Sequence, residues 1–145
     1  MLEPTVDAVR TAARLARQVE VALQAADLTL PQYRLLTLLT EGEQVANHLA
    51  DLLFVSPPSV TALVDGLVER GLVERRPDAS DRRRVSHAIT VAGAAALADG
   101  DAAIADRLGR FASGVPARTG QRAVSGLEAW TAVLDAARTR KLARS

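Results

Sequence analysis

The stretch Glu74–Thr90, ERRPDASDRRRVSHAIT, decides how this chain is read. Its ends continue two β-prone runs, LVERR and RVSHAIT. Between them lie Pro77, Asp78, Ser80 and Asp81, residues that favour turns. The spacing predicts an antiparallel hairpin with its tip near 77–83 and three consecutive arginines, Arg82, Arg83 and Arg84, at or beside that tip. From Arg70 to Arg84 there are six arginines against Glu74, Asp78 and Asp81, a local excess of three positive charges. The whole chain carries a net charge of only +1. A basic patch on a nearly neutral chain points to nucleic acid more directly than a high overall charge would.

Upstream of the hairpin, EQVANHLADLLFVSPPSVTALVDGLVERGLV reads as two short helices joined by a tight break. Val45, Leu49 and Leu52 or Leu53 form a first apolar stripe. Ser56 is a candidate N-cap, with Pro57 and Pro58 in the first turn of the next helix, where a missing N–H costs nothing. Val60, Leu63, Val64, Leu67 and Val68 recur at helical spacing, and Gly71 ends the run. This is a helix-turn-helix pattern. Before it, Val6, Val9, Ala13, Ala16, Val19 and Leu23 predict a first helix over about 5–26. LTLPQYRLLTLL predicts a second, capped by Thr29 and stopped at Gly42. After the hairpin comes a long Ala-rich helix with Gly100 as a weak point. Gly114 and Pro116 break the chain, and a last helix is predicted over about 117–141, carrying Trp130.

Hydrophobic residues make up 48% of the 145 positions and aromatics 3%, so the core must be built from Leu, Val and Ala. Small side chains bury little area each, which favours burial across a subunit interface as well as within one chain. There is no cysteine, which excludes disulfides, Cys-zinc sites and thiol redox sensing. No run approaches the length of a membrane span, and the N-terminus lacks the apolar core of a signal peptide, so a cytoplasmic location is expected. No nucleophile elbow, phosphate loop or metalloprotease motif occurs, so enzyme activity, cofactors and metals are not expected.

The segment from about Leu28 to Gly93 resembles the MarR family of winged helix-turn-helix transcriptional regulators. The most specific match is GLVERRPDASDRRRVSHAIT: Asp81 and Arg83 hold the family's Asp-x-Arg positions, and Ile89-Thr90 takes its Leu-Thr place. The resemblance implies a mainly α fold with a small antiparallel β wing. Residues 1–27 and 92–145 would form the dimerisation base, with Trp130 as an anchor, and residues 28–91 the DNA-binding lobe. It also implies a homodimer on a pseudo-palindromic operator. Its function would be that of a sequence-specific repressor released by a small phenolic or anionic ligand held between base and lobe. Three positions depart from the family. Ala62 and Gly66 stand where basic or polar residues are common on the recognition helix, and Phe54 stands where the turn usually carries glycine.

On this reading Arg83 enters a minor groove, where negative potential is focused. Asp81 steadies its guanidinium, and Arg82 and Arg84 point to the other face of the strand and reach phosphates. Ser56, Pro57, Ser59 and Thr61 form the N-terminal contact surface of the recognition helix, although capping alone also explains Ser56. Arg75 and Arg76 are phosphate contacts or plain surface residues. Tyr33, Arg34 and His48 are the ligand-contact candidates, with a core role for Tyr33 and a surface role for His48 as alternatives. His87 is expected to be structural. A competing function is a winged dimer with weak or no DNA binding that docks a protein partner through Leu52, Phe54 and Val55.

Overall fold

The computed structural model describes residues 1–143. Helix α1 spans Val6–Leu23, capped by Thr5, whose hydroxyl accepts from the Ala8 N–H at 3.2 Å. It stops earlier than expected: a 3₁₀ turn, Gln24–Ala26, takes over, and Asp27 follows in the left-handed conformation at φ 52°. Helix α2, Leu30–Leu39, starts with a reciprocal capping box between Thr29 and Gln32. It buries Leu35, Leu36, Leu38 and Leu39.

Gln44–Val45 forms a two-residue strand, β1, which the sequence did not suggest. Helices α3 (Ala46–Leu53) and α4 (Pro57–Glu69) follow, bent by 108° at the break between them. Phe54 caps α3 in the left-handed region at φ 57°, so the turn keeps its shape and the phenylalanine carries the steric cost. Strands β2 (Val73–Pro77) and β3 (Val85–Ile89) make the wing. The sheet order is β1-β3-β2, with Arg75 and Gln44 both opposite His87 on its two sides.

Helix α5, Val91–Ser113, is unbroken at Gly100. Far from being a weak point, that glycine is buried, and a Cβ there would lie 3.2 Å from both Leu23 and Tyr33 side chains. There α5 packs tightly against side chains of α1 and α2. The predicted last helix is two helices, α6 (Ala117–Ala129) and α7 (Thr131–Leu142), separated at Trp130.

One continuous core joins these elements. Leu23 and Leu28 meet Leu35, Leu36 and Leu39 of α2, Leu49 and Leu53 of α3, Val60, Val64 and Leu67 of α4, and Leu97 of α5. As expected it is aliphatic. The terminal helices, by contrast, leave Val6, Val9, Val124, Leu127, Trp130, Val133 and Leu134 exposed, Trp130 at 64%. No single helix among the described residues is long and apolar enough to cross a membrane.

The tightest approach lies where α5 leaves the wing. A Cβ on Gly93 would overlap the Leu72 carbonyl oxygen and sit 2.8 Å from Ile89 Cγ1. Gly93→Ala is therefore expected to cost about 3 kcal/mol or more, because backbone cannot give way as a side chain does. A Cβ on Gly66 of α4 meets nothing within 4 Å, so Gly66→Ala is expected to stabilise by up to about 1 kcal/mol through helix propensity alone. Urea unfolding of the two variants checks both signs.

Candidate nucleic-acid interface

Val60, Val64 and Leu67 turn one side of α4 into the core. The opposite side carries Pro58, Ala62, Asp65 and Glu69, all exposed. The hydroxyls at its start are largely spoken for within the helix. Ser56 Oγ accepts from the Ser59 N–H at 3.4 Å, and the two serine hydroxyls share a 2.8 Å bond. Thr61 Oγ1 donates to the Pro57 carbonyl at 3.2 Å. Ser56, Pro57, Ser59 and Thr61 thus lie together at the exposed N-terminal end of α4, as expected, with Ser56 acting as the cap.

The wing sorts its arginines into two groups. Arg75 pairs with Asp65 of α4, so β2 is tied to the recognition helix. Arg76 binds Glu43 at 2.8 Å and also pairs with Glu74. Glu43 accepts a second bond from the Ser86 hydroxyl at 2.8 Å. That hydroxyl, and then Arg76, hold the Glu43 carboxyl below its usual range, while Glu43 and then Glu74 push the Arg76 guanidinium above its own. Both arginines therefore fasten the wing to its surroundings.

Arg82, Arg83 and Arg84 differ. All three are exposed, and none has an ion pair among the described residues. They lie in the loop ahead of β3, not within a strand, so the expected alternation of Arg82 and Arg84 against Arg83 does not apply. Asp81 has another job than the one expected. Its carboxylate accepts from the Arg83 backbone N–H at 2.9 Å, and its carbonyl accepts from the Arg84 N–H at 3.0 Å. The Asp78 N–H donates to the Arg84 carbonyl at 3.0 Å and closes the loop. Asp81 shapes the backbone that presents the arginine and leaves the guanidinium free. Arg84 also borders a cleft of about 370 Å³ between α4 and the wing, together with Asn47, Thr61, Arg75 and His87.

The three ligand candidates do not converge. Tyr33 and Arg34 line a cleft of about 210 Å³ with Thr37, Leu38, Leu52, Leu53 and Arg138. Tyr33 also bridges helices: its hydroxyl donates to Asp101 Oδ1 at 2.6 Å, and burial, then Asp101, push its pKa up to about 12. His48 lies elsewhere, exposed on α3 beside Asp51 and Pro57. Sequence reasoning missed Arg138, which pairs with Glu41 across 97 positions and ties α7 to the loop after α2. No local signal marks such a pair. Among the described residues, no group of three or more His, Cys, Asp or Glu side chains is placed to hold a metal ion. The docking patch of the competing reading is incomplete: Phe54 is 75% exposed and Val55 37%, but Leu52 is buried.

A helix-turn-helix followed by a two-stranded hairpin, whose tip carries arginines with no ion pair among the described residues, defines a winged helix-turn-helix protein. Residues 26–84 match the MarR family. Over 82 residues the chain is 35% identical to an uncharacterised HTH-type transcriptional regulator of Mycobacterium leprae, a match spanning 56% of this chain and 57% of that protein's length. Among solved structures it is similar to CouR from Rhodococcus jostii RHA1 bound to p-coumaroyl-CoA, with 30% identity, TM-score 0.65, and coverage of 83% of this chain and 85% of the other. It is also similar to RV1404 from Mycobacterium tuberculosis, with 28% identity, TM-score 0.72, and coverage of 90% and 95%. The chain belongs to the MarR family of winged helix-turn-helix transcriptional regulators.

His87 provides a test of the wing's packing. It is buried at 5% exposure, and its Nδ1–H donates to the Gln44 carbonyl at 3.0 Å, joining β3 to β1. Burial lowers its pKa below the ordinary 6.5, and repulsion from Arg75 adds to this. The unfolded chain therefore takes up this proton first. The stability from a neutral His87 is fully present above pH 6.5 and declines as pH falls from there toward the lower folded-state pKa. Thermal melts across that window are expected to show the decline, and His87→Gln is expected to flatten it.

Proposed function

We propose that this chain is a dimeric, sequence-specific DNA-binding repressor released by a small phenolic or anionic effector. The observation that carries the reading is the sorting of wing charge. Arg75 and Arg76 are held by carboxylates, whereas Arg82, Arg83 and Arg84 are exposed and have no ion pair among the described residues. A narrow hairpin with free guanidiniums suits a minor groove, whose negative potential favours them. Arg83 is the inserted residue, with Arg82 and Arg84 on phosphates. The start of α4, from Ser56 to Thr61, faces the major groove.

The dimer is supported by the apolar side chains that α1, α6 and α7 leave uncovered, Val6, Val9, Leu127 and Trp130 among them. In this reading residues 1–27 and 92 onward form the base and 28–91 the lobe, residues 144–145 lying outside the described residues. The effector class is supported by CouR, whose structure holds p-coumaroyl-CoA, and by the cleft that sets Arg34 and Arg138 beside Leu38, Leu52 and Leu53. The interaction-module alternative keeps only Phe54 and Val55 of its three anchors.

Band-shift titration over salt tests the DNA reading. Six phosphates neutralised per dimer give a log–log slope of about −5, and a flat slope rules the wing mechanism out. Arg83→Ala is expected to weaken binding by about 1–3 kcal/mol without changing the dimer's mass in light scattering. Arg138 is not a neutral comparison, because it holds Glu41. Arg140, exposed on α7, is the control, and Arg140→Ala is expected to bind as the parent does. Equal losses would remove the wing's special role.

A further inference from the structure

The groove-facing side of α4 has an unusual inventory for a helix meant to read bases. From Ser56 to Glu69 there is no arginine, lysine, asparagine or glutamine. These are the side chains that make paired hydrogen bonds to guanine or adenine in the major groove. The hydroxyls do not replace them. Thr61 donates its proton back to the Pro57 carbonyl, so that proton is not offered to a base. Ser56 and Ser59 are bonded to each other. Toward the C-terminal end, Asp65 is held by Arg75, and Glu69 is exposed where phosphates would repel it. The helix therefore meets DNA with its N-terminal half.

Beside these internally bonded hydroxyls, that half presents apolar groups. Ala62 is exposed opposite the buried Val60, Val64 and Leu67, with Pro58 one turn before it and Thr61 next to it in sequence. One turn later, the space a Cβ would fill on Gly66 is empty to 4 Å, so no side chain holds the helix away from a base edge there. Of the groups on the major-groove edges of base pairs, only the thymine C5-methyl is recognised by apolar contact.

We propose that α4 reads thymine methyl groups, with Ala62 as the principal reader and Pro58 and Thr61 beside it, and that it draws no specificity from guanine. This rests on the DNA-binding reading given above. It assigns sequence preference to shape: methyl contact in the major groove, and minor-groove width at the wing. Cytosine is rejected because it lacks the methyl.

The test uses the tightest-binding duplex selected by the full-length protein from a randomised library, with bases replaced one at a time. Thymine to uracil deletes only the C5-methyl. Guanine to 7-deazaguanine deletes only the N7 acceptor. One or two thymines per half-site are expected to lose about fourfold in affinity on becoming uracil, the value of one buried methyl-sized group. All 7-deazaguanine duplexes are expected to bind as the parent does. In Ala62→Ser protein the thymine-to-uracil ratio at those positions is expected to fall toward one, while binding to the uracil duplex is retained. Insensitivity to uracil everywhere, loss on 7-deazaguanine, or an unchanged ratio in Ala62→Ser overturns the proposal while leaving DNA binding in place. A protein that selects no duplex overturns the DNA reading, and this inference with it.

Discussion

Thr90 ties the recognition helix, the wing and the long helix α5 into one body. Its hydroxyl donates to the Gly71 carbonyl at 2.7 Å and accepts from the Gly93 N–H at 3.0 Å. Its own N–H donates to the Leu72 carbonyl at 3.1 Å. Gly71, at φ 71°, closes α4 in a conformation that suits glycine, and Gly93 lets α5 pass against the Leu72 backbone. Within a few ångströms the end of α4, the start of β2, the end of β3 and the start of α5 are fixed to one another. A hairpin alone is marginal in water. This one has its open end clamped, so its free end can project as a stiff arm.

The same economy governs charge along that arm. Near its root, Asp65, Glu74 and Glu43 consume the arginines of β2. These pairs are substantially exposed and each contributes little to stability, but they fix where the wing sits against α4 and the loop after α2. At the tip the carboxylates serve the turn instead: that of Asp81 accepts from the Arg83 backbone N–H and that of Asp78 from the Ser80 hydroxyl. Asp81 and Asp78 shape the turn and leave the guanidiniums without a partner to be stripped away on binding. An arginine already paired would have to give up that pair for a phosphate, and the exchange would return little.

Much of this was legible in the residues. Ser56-Pro57-Pro58 and Gly71 bracket α4 because capping, proline at a first turn and glycine at a helix end act locally. The hairpin was legible because its turn residues sit between two β-prone runs. What stayed hidden depends on distance along the chain. β1 is two residues long and exists only because β3 offers an edge 43 positions away. The Arg138–Glu41 and Arg76–Glu43 pairs join positions that no periodicity connects. The Asp81 carboxylate accepts from the Arg83 backbone N–H and not from its guanidinium, a difference that spacing does not reveal. Trp130 read as mid-helix because its neighbours keep the apolar spacing across a bend.

The arrangement also bears on why one lobe would be insufficient. A helix face without paired hydrogen-bond donors, carrying acids toward its far end, gives modest discrimination. A single inserted arginine would add a contact whose strength falls as salt rises. Two lobes joined by a stiff base would make the second insertion intramolecular, which would multiply affinity without any new type of contact, provided the base held the lobes at the groove repeat. That condition falls on the terminal helices. α7 meets it partly through its own lobe, packing on α3 and holding the loop after α2 through Arg138 and Glu41. Two residues further on, Glu43 holds the wing. The short segment Glu41–Glu43 thus lies between the helix that would set lobe spacing and the arm that would enter the groove, so a change in the tilt of α7 would act on the same segment that anchors the wing.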